Sequence, residues 1–470
     1  MHPDAPTRRA DAWSGTGAAR NDDTMNLQQV DARLPAAANG QAANDQAAAT
    51  CGKTPDADTR FDGVDLHALA AREGTPLHVY SSSAIHRRIE SLQEALQGMD
   101  ALLCFAVKAN SNLAILQLMQ RAGVGADIVS AGELQRALRA GIDPARIVFS
   151  GVGKTAAEIG EALAAGVGRF NLESIDELDL LQRIAQRQGV TAHAAVRINP
   201  DVDAQTHAKI STGKSENKFG VSIIEARGWF ADQGRWPDVR LDGLHMHIGS
   251  QILEMAPLQQ ALQRLARFWR ELVLAGHRID SIDVGGGLGV RYRQGERPLA
   301  AADYVAAIRE ALDGFQGRIV LEPGRYLVAE AGLLLTRVIR RKRGAQREFL
   351  VVDAAMNDLL RPSLYDAWHD IARIGDNANR KTAAYDVVGP VCETGDTFAV
   401  GRELPRCDAG DLLAILGTGA YGASMASTYN SRPLAGEVLV DDGCYAVVRR
   451  RQTLDGMLAG EQPAGQWETT

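Results

Sequence analysis

From about residue 100 the chain alternates between short, β-rich apolar runs and longer Ala/Leu/Glu-rich stretches with helical spacing. The runs are Ala101–Val107, Val124–Val129, Arg146–Phe149, Arg169–Leu172, His193–Ile198, Leu241–Ile248, Ser281–Val284 and Arg318–Leu321. Each is followed by a candidate helix. Eight βα units are the count of a TIM (β/α)8 barrel. An open doubly wound sheet shows the same alternation, but the count reaches eight with no obvious switch point. The barrel is therefore the α/β architecture expected over residues 81–340.

Beyond residue 340 the pattern changes. Phe349–Val352, Tyr385–Val391, Asp411–Leu416, Glu437–Val440 and Tyr445–Arg449 are separated by turns with few long helices between them. Residues 341–470 thus read as a second, mostly β C-terminal domain. Pro76–Tyr80 is also extended, and the segment 56–80 is expected to join that β domain. Residues 1–55 contain no Ile, Phe or Tyr and are rich in Ala, Asp, Asn and Gly. Such a stretch buries too little apolar surface to offset its ordering entropy, so a disordered tail is expected. It lacks the apolar core of a secretory signal, and its aspartates do not suit a transit peptide.

Composition narrows the function classes. The 470 residues carry a formal charge of −7, with 45% hydrophobic and 23% charged residues. This mildly acidic balance disfavours a nucleic-acid partner. No apolar run approaches the roughly 20 residues of a membrane span. Five cysteines, at 51, 104, 392, 407 and 444, show no CxxC spacing. That argues against a disulfide scaffold or structural zinc and fits a reducing, cytoplasmic setting.

Candidate chemistry lies where the barrel runs end, the face on which such barrels build active sites. The ends carry Lys108, Asp127, Ser150, Glu173, Arg197, His247 with Ser250, Asp283 before three glycines, and Glu322 with Arg325. Strand alternation sends Leu103, Phe105 and Val107 toward the helices and Lys108 to the barrel mouth with Cys104 and Ala106. Apolar walls would disfavour the charged form of Lys108 and make its amine a nucleophile for a Schiff base. An ordinary solvated strand-end lysine is the plainer reading. Gly285–Gly286–Gly287 could let backbone N–H groups cradle an anion, or could form only a tight turn. His245-Met246-His247 could be a metal pair, but no other strand end supplies a histidine, so no metal is expected. His247 could instead cover an aromatic ring, with His245 a packed core residue. A carboxylate at position 322 is costly inside a barrel unless paired, either with Arg325 in its own motif or with a protonated pyridine nitrogen. Amine, glycine loop, imidazole and carboxylate on one rim together specify pyridoxal 5'-phosphate.

Nine ordered segments carry a family resemblance. They are FAVKAN (105–110), ADIVSAGEL (126–134), NPDVDAQTHAKISTGKSENKFG (199–220), HMHIGSQ (245–251), DVGGGLG (283–289), EPGR (322–325), RPSLYDA (361–367), GPVCETGD (389–396) and GAYGASMASTYNSRP (419–433). Over about residues 60 to 455 the chain resembles the fold-type III, alanine-racemase-like pyridoxal-phosphate decarboxylases. The diaminopimelate decarboxylases are nearest, with ornithine and arginine decarboxylases further off.

The resemblance implies decarboxylation of meso-2,6-diaminopimelate to L-lysine in lysine biosynthesis. It makes Lys108 the Schiff-base lysine and His247 the residue stacked on the ring. Ser250, Gly285, Gly286 and Gly287 would hold the phosphate, helped by Gly324, Arg325 and Tyr421. Glu322 would pair with the ring nitrogen, and Asp127 and Arg197 would support the site. Cys392 would be the proton donor and Glu393 a substrate contact. In the family that pair comes from the partner subunit, which implies a homodimer with shared sites. Arg325, Arg361, Tyr365 and Tyr421 would receive the distal end of an amino-acid substrate, since paired arginines suit a carboxylate and oppose a bare amine. Thr428 departs from the family pattern, which carries Asn there, and the tail has no counterpart in it.

Overall fold

In the computed structural model, residues 59–202 and 218–465 are described. The tail expected over 1–55, Cys51 and the middle of the 199–220 motif lie outside them. The eight runs form eight parallel strands hydrogen-bonded into a closed barrel. They are Ala101–Ala106, Gly125–Ile128, Ile147–Phe149, Arg169–Leu172, Ala192–Arg197, Val239–His245, Ser281–Asp283 and Arg318–Leu321. The first strand pairs with the eighth, Leu102 opposite Val320 and Leu103 opposite Leu321, which excludes an open sheet.

Helix starts follow local side-chain chemistry. Thr155 and Glu158 form a reciprocal capping box before Ala156–Ala165, and Gly166 ends that helix in the left-handed region. Ser174 accepts from the Glu177 N–H before Ile175–Gln188. The eighth run is followed by only one short helix, Arg325–Val328. A helix that precedes the barrel, Ser82–Ala95, packs against it and against Ala301–Ala311. Its buried face is Ile85, Ile89 and Leu92, one stripe at helical spacing.

The boundary expected at residue 340 moves. Gly332–Arg343 already belongs to the β sheet, where it pairs antiparallel with Leu77–Ser81 and with Leu412–Leu416. Leu77–Ser81 also pairs parallel with Gly436–Asp441, so the β domain draws on chain from both sides of the barrel. Three strands of this β domain are not expected from the sequence: Gly332–Arg343, Ile371–Arg373 and Thr397–Pro405. The first ends in the basic run Arg340–Arg343, which the acidic total charge conceals. The second is three residues long. The third contains Gly401 at positive φ and ends on Pro405, both of which argue against a strand.

The segment after Lys108 is stitched to the β domain. The Tyr421 N–H donates to the Ala109 carbonyl at 2.8 Å. Asn110 Nδ2 donates to the Gly419 carbonyl at 3.0 Å, and Asn112 Nδ2 to Glu437 Oε2 at 3.1 Å. The Tyr80 hydroxyl donates to the same Glu437 oxygen at 2.8 Å. A Cβ on Gly419 would lie 1.9 Å from the Val328 carbonyl oxygen, so only glycine permits this approach.

His78 is buried beside Tyr80, and burial pulls its imidazole down to about 4. The unfolded chain then binds a proton that the folded chain does not, and stability is lost as pH falls from about 6.5 toward 4. Replacing His78 with Phe should remove that loss. Relative to pH 7, urea unfolding at pH 5 should show His78→Phe gaining up to about 2 kcal/mol on the native protein.

Candidate active site

Lys108 lies in a single 3₁₀ turn, Val107–Ala109, immediately beyond the first strand. Its amine donates to Asp127 Oδ2 at 2.7 Å, and its side chain keeps 42% exposure at the barrel mouth. The environment differs from the apolar walls expected from the sequence. Burial lowers the amine's affinity for its proton, but Asp127, Tyr421 and Glu322 outweigh it and raise the group above its ordinary value. Lys108 is therefore held as an ammonium on a buried carboxylate. Asp127 itself is pushed up by burial and by Glu322, and held in check by Lys108.

Glu322 forms the floor. It makes no bridge to Arg325 within its own motif. Its Oε1 accepts from Asn171 Nδ2 at 3.0 Å and from the Ser150 hydroxyl at 3.2 Å, and its Oε2 lies 3.4 Å from His245 Nε2. Asn171 Nδ2 also faces Asp283 Oδ2 at 3.3 Å. Burial opposes charge on Glu322, but His245, Lys108 and Asp283 hold it below the usual carboxylate range. Asp283 moves the other way, driven up by burial and by Glu322. The two acids are thus displaced in opposite directions and titrate as a pair. Ligand atoms of His245, Asp283 and Glu322 lie within 4.8 Å of one another, a group of which His247 is not part. The His-x-His pair thus does not converge.

The glycine loop answers to space more than to free donors. A Cβ on Gly286 would stand 2.1 Å from the Glu322 carbonyl oxygen, and one on Gly287 2.3 Å from that of Gly249. The Gly285 N–H donates to Asp283 Oδ1 at 2.8 Å, and the Gly286 N–H to His247 Nδ1 at 3.2 Å. Those two amides are already engaged, contrary to the cradle expected of all three. The Gly286 bond orients the imidazole, and burial with Arg197 and Lys108 nearby pulls His247 down to about 3, so the ring is neutral. Arg197 donates to Glu173 Oε1 at 2.5 Å and lies over Phe219.

The opposite wall is cationic. Arg325 donates through Nε and Nη2 to the Ser250 hydroxyl oxygen at 3.1 and 2.9 Å, which leaves the Ser250 O–H proton to point elsewhere. Its Nη1 donates to the Tyr292 hydroxyl at 2.8 Å, and its guanidinium lies 4.9 Å from the Tyr421 ring centroid. Tyr421 holds a positive φ of 57°. Arg361 lies 4.4 Å from the Tyr292 centroid, and burial and Arg325 pull its pKa down. Tyr365 is close enough to act electrostatically on both arginines. Among the described residues neither Arg325 nor Arg361 has a carboxylate partner.

Cys392 and Glu393 are elsewhere. Both are exposed; the Cys392 N–H donates to Asn430 Oδ1 at 3.0 Å, and Glu393 Oε2 accepts from the Tyr429 hydroxyl at 2.8 Å. Among the described residues neither shares a hydrogen bond or ion pair with the Lys108 cluster. Three residues of the site were missed. Asn171 could have been found, since Phe170 and Leu172 face the helices and alternation turns Asn171 inward. Tyr292 and His369 carry no local signal.

The pocket's donor set fits pyridoxal phosphate. Asp127 Oδ1 and Asn171 Oδ1 are buried without a partner, a lysine amine is exposed at the mouth, and a charged carboxylate lies beneath it.

Comparison with known proteins agrees. Residues 82–329 match the family described as "Pyridoxal-dependent decarboxylase, pyridoxal binding domain". The chain is 50% identical to the diaminopimelate decarboxylase of Pseudomonas aeruginosa over 86% of this chain and 97% of that one. It is 46% identical to that of Zymomonas mobilis over 85% and 96%. The crystal structure of the Helicobacter pylori diaminopimelate decarboxylase complexed with L-lysine superposes with a TM-score of 0.81 at 44% identity, covering 84% of this chain and 98% of that one.

Replacing Asn171 with Leu should leave the Glu322–Asp283 pair without its bridging donor. Urea unfolding of the variant should show a loss of about 1–3 kcal/mol.

Proposed function

The chain belongs to the diaminopimelate decarboxylase family of pyridoxal-dependent decarboxylases, and from that premise we propose that it converts meso-2,6-diaminopimelate to L-lysine and carbon dioxide. The observation that carries the substrate is the pair of buried guanidiniums, Arg325 and Arg361, which no carboxylate of the described chain neutralises. Buried cations without a counter-ion are costly, and an anionic ligand removes that cost. A phosphate answers one of them and the distal carboxylate of the substrate the other. A bare-amine substrate such as ornithine would leave Arg361 unpaired.

Bound pyridoxal phosphate supplies the electron sink for the pair left when a Cα–carboxylate bond breaks. Lys108 would anchor it covalently, and Asp127 would hold the Lys108 ammonium whenever that amine is released. Glu322, held low by His245 and Lys108, would retain a proton on the ring nitrogen. His247, neutral and fixed by the Gly286 N–H, offers an uncharged face to the ring. Ser250, Gly287, Gly324, Arg325 and Tyr421 would hold the phosphate. Gly285 and Gly286 shape the loop by their close approach to neighbouring backbone. Arg361, with Tyr365, would orient the distal carboxylate.

Two pieces would come from a second copy of the chain. Exposed Cys392 would deliver a proton to Cα, and Glu393 would face the distal ammonium. A homodimer with shared sites follows from that reading. Free cysteines at 104, 392, 407 and 444 agree with a cytoplasmic location. Among the described residues no helix is long and apolar enough to cross a membrane.

Purified protein incubated with meso-diaminopimelate should release carbon dioxide and lysine, and should release none from ornithine, arginine or lysine. Carbon dioxide from one of the latter three alone would reject the substrate. Lys108→Ala should abolish the visible absorbance of the bound cofactor. Arg361→Ala should raise KM by about ten- to a hundred-fold with that absorbance intact, the cost of one or two charge-assisted bonds.

A further inference from the structure

We propose that His369 is a positioning residue for substrate selectivity, fixing Arg361 through a neutral acceptor so that the guanidinium keeps its whole charge for the distal carboxylate. The inference rests on the substrate proposed above and deepens it.

Among the described residues, the four buried arginines divide into two kinds. Arg197 is paired with Glu173, and Arg373 with Asp411. Arg325 and Arg361 have no carboxylate, and Arg361 instead meets an imidazole. Its Nη1 lies 2.9 Å from His369 Nε2, and His369 Nδ1 lies 2.7 Å from the Leu416 carbonyl oxygen. A carbonyl oxygen only accepts, so Nδ1 carries the hydrogen. A guanidinium only donates, so Nε2 is bare. Both contacts fix one neutral tautomer. A second proton would set N–H against N–H.

The surroundings enforce the same state. Arg402 Nη1 donates to the His369 carbonyl at 2.9 Å, and the Tyr292 ring packs edge-on with centroids 5.3 Å apart. The adjacent acid, Asp370, is turned away: it accepts from Trp368 Nε1 at 2.7 Å and lies 3.8 Å from Arg402. Burial and Arg361 pull the His369 imidazole down to about 3. A carboxylate at 369 would grip Arg361 as firmly, but it would cancel the charge that the substrate needs.

The test compares His369→Glu with His369→Gln in the holoenzyme. His369→Glu should raise KM for meso-diaminopimelate about ten-fold or more, with kcat and cofactor absorbance unchanged. His369→Gln, which keeps a neutral acceptor, should stay within about three-fold of the native KM. Equal KM values for the two variants, or kcat and absorbance falling together with KM, would overturn the assignment. Nitrogen-15 shifts of histidine-labelled native holoenzyme give a second readout that needs no variant. They should show His369 as the neutral Nδ1–H tautomer between pH 6 and 8 (conditions chosen about the ordinary imidazole value). A protonated ring would refute the proposal. A native enzyme that releases no carbon dioxide from meso-diaminopimelate would instead sink the substrate reading, whatever the tautomer.

Discussion

The site depends on the seam that closes the barrel. Lys108 follows the first strand and Glu322 ends the eighth, so they are neighbours only because those two strands hydrogen-bond. The Ala106 N–H donates to the Pro323 carbonyl at 3.2 Å, which carries the pairing into both functional loops. An open doubly wound sheet keeps its first strand inside the sheet, away from its last, and would separate these ends. Closure brings the Lys108 amine and the Glu322 carboxylate to one rim. The β domain then secures the Lys108 turn from outside through Tyr421, Asn110 and Asn112. The amine's position is thus set by two layers of the structure at once.

Charge is sorted within that rim. Asp127, Asp283 and Glu322 form one buried acidic cluster, and Arg325 and Arg361 form a cationic wall. The acids share few cations, and the outcome differs at each. Lys108 answers Asp127 Oδ2 alone, burial drives Asp283 toward its protonated form, and Asn171 and Ser150 donate to Glu322. The wall is left without counter-ions and is held by neutral partners: the Ser250 and Tyr292 hydroxyls and the His369 ring. Neutral acceptors orient a cation without discharging it. An acidic cluster beside a cationic wall suits a ligand that combines a protonated ring with phosphate and carboxylate.

Much of this was legible in the sequence because strand period and strand ends are local signals. Eight apolar runs give the barrel, and polar residues at their ends give Lys108, Asp127, His247 and Glu322. Where interactions are non-local, the reading stops. Apolar flanks around Lys108 say nothing of Asp127 across the next strand, so its charge state was misjudged. Three glycines in a row look like an anion cradle, but two of their N–H groups serve Asp283 and His247. Gly332–Arg343 hides as a strand because its outer half is a basic run. Its inner half pairs with Leu77–Ser81 and Leu412–Leu416, far away in the chain, and only its basic outer half meets the nearby Glu348–Val352.

The exposed pair Cys392–Glu393 has a different logic. Nothing in the described chain draws either side chain inward; Glu393 is engaged by Tyr429 and the Cys392 backbone by Asn430. Both anchors belong to the 419–433 segment, which also supplies Tyr421 to this chain's own rim. One segment therefore faces two ways: inward through Tyr421 to its own Lys108 turn, outward through Tyr429 and Asn430 to the Cys392 loop. If the outward loop completes a second copy's site, the geometry of one subunit's cofactor wall and its neighbour's proton donor are set by the same stretch of backbone. Positive φ at Tyr421, Asn430 and Ser431 bends that stretch at the inward and at the outward contact.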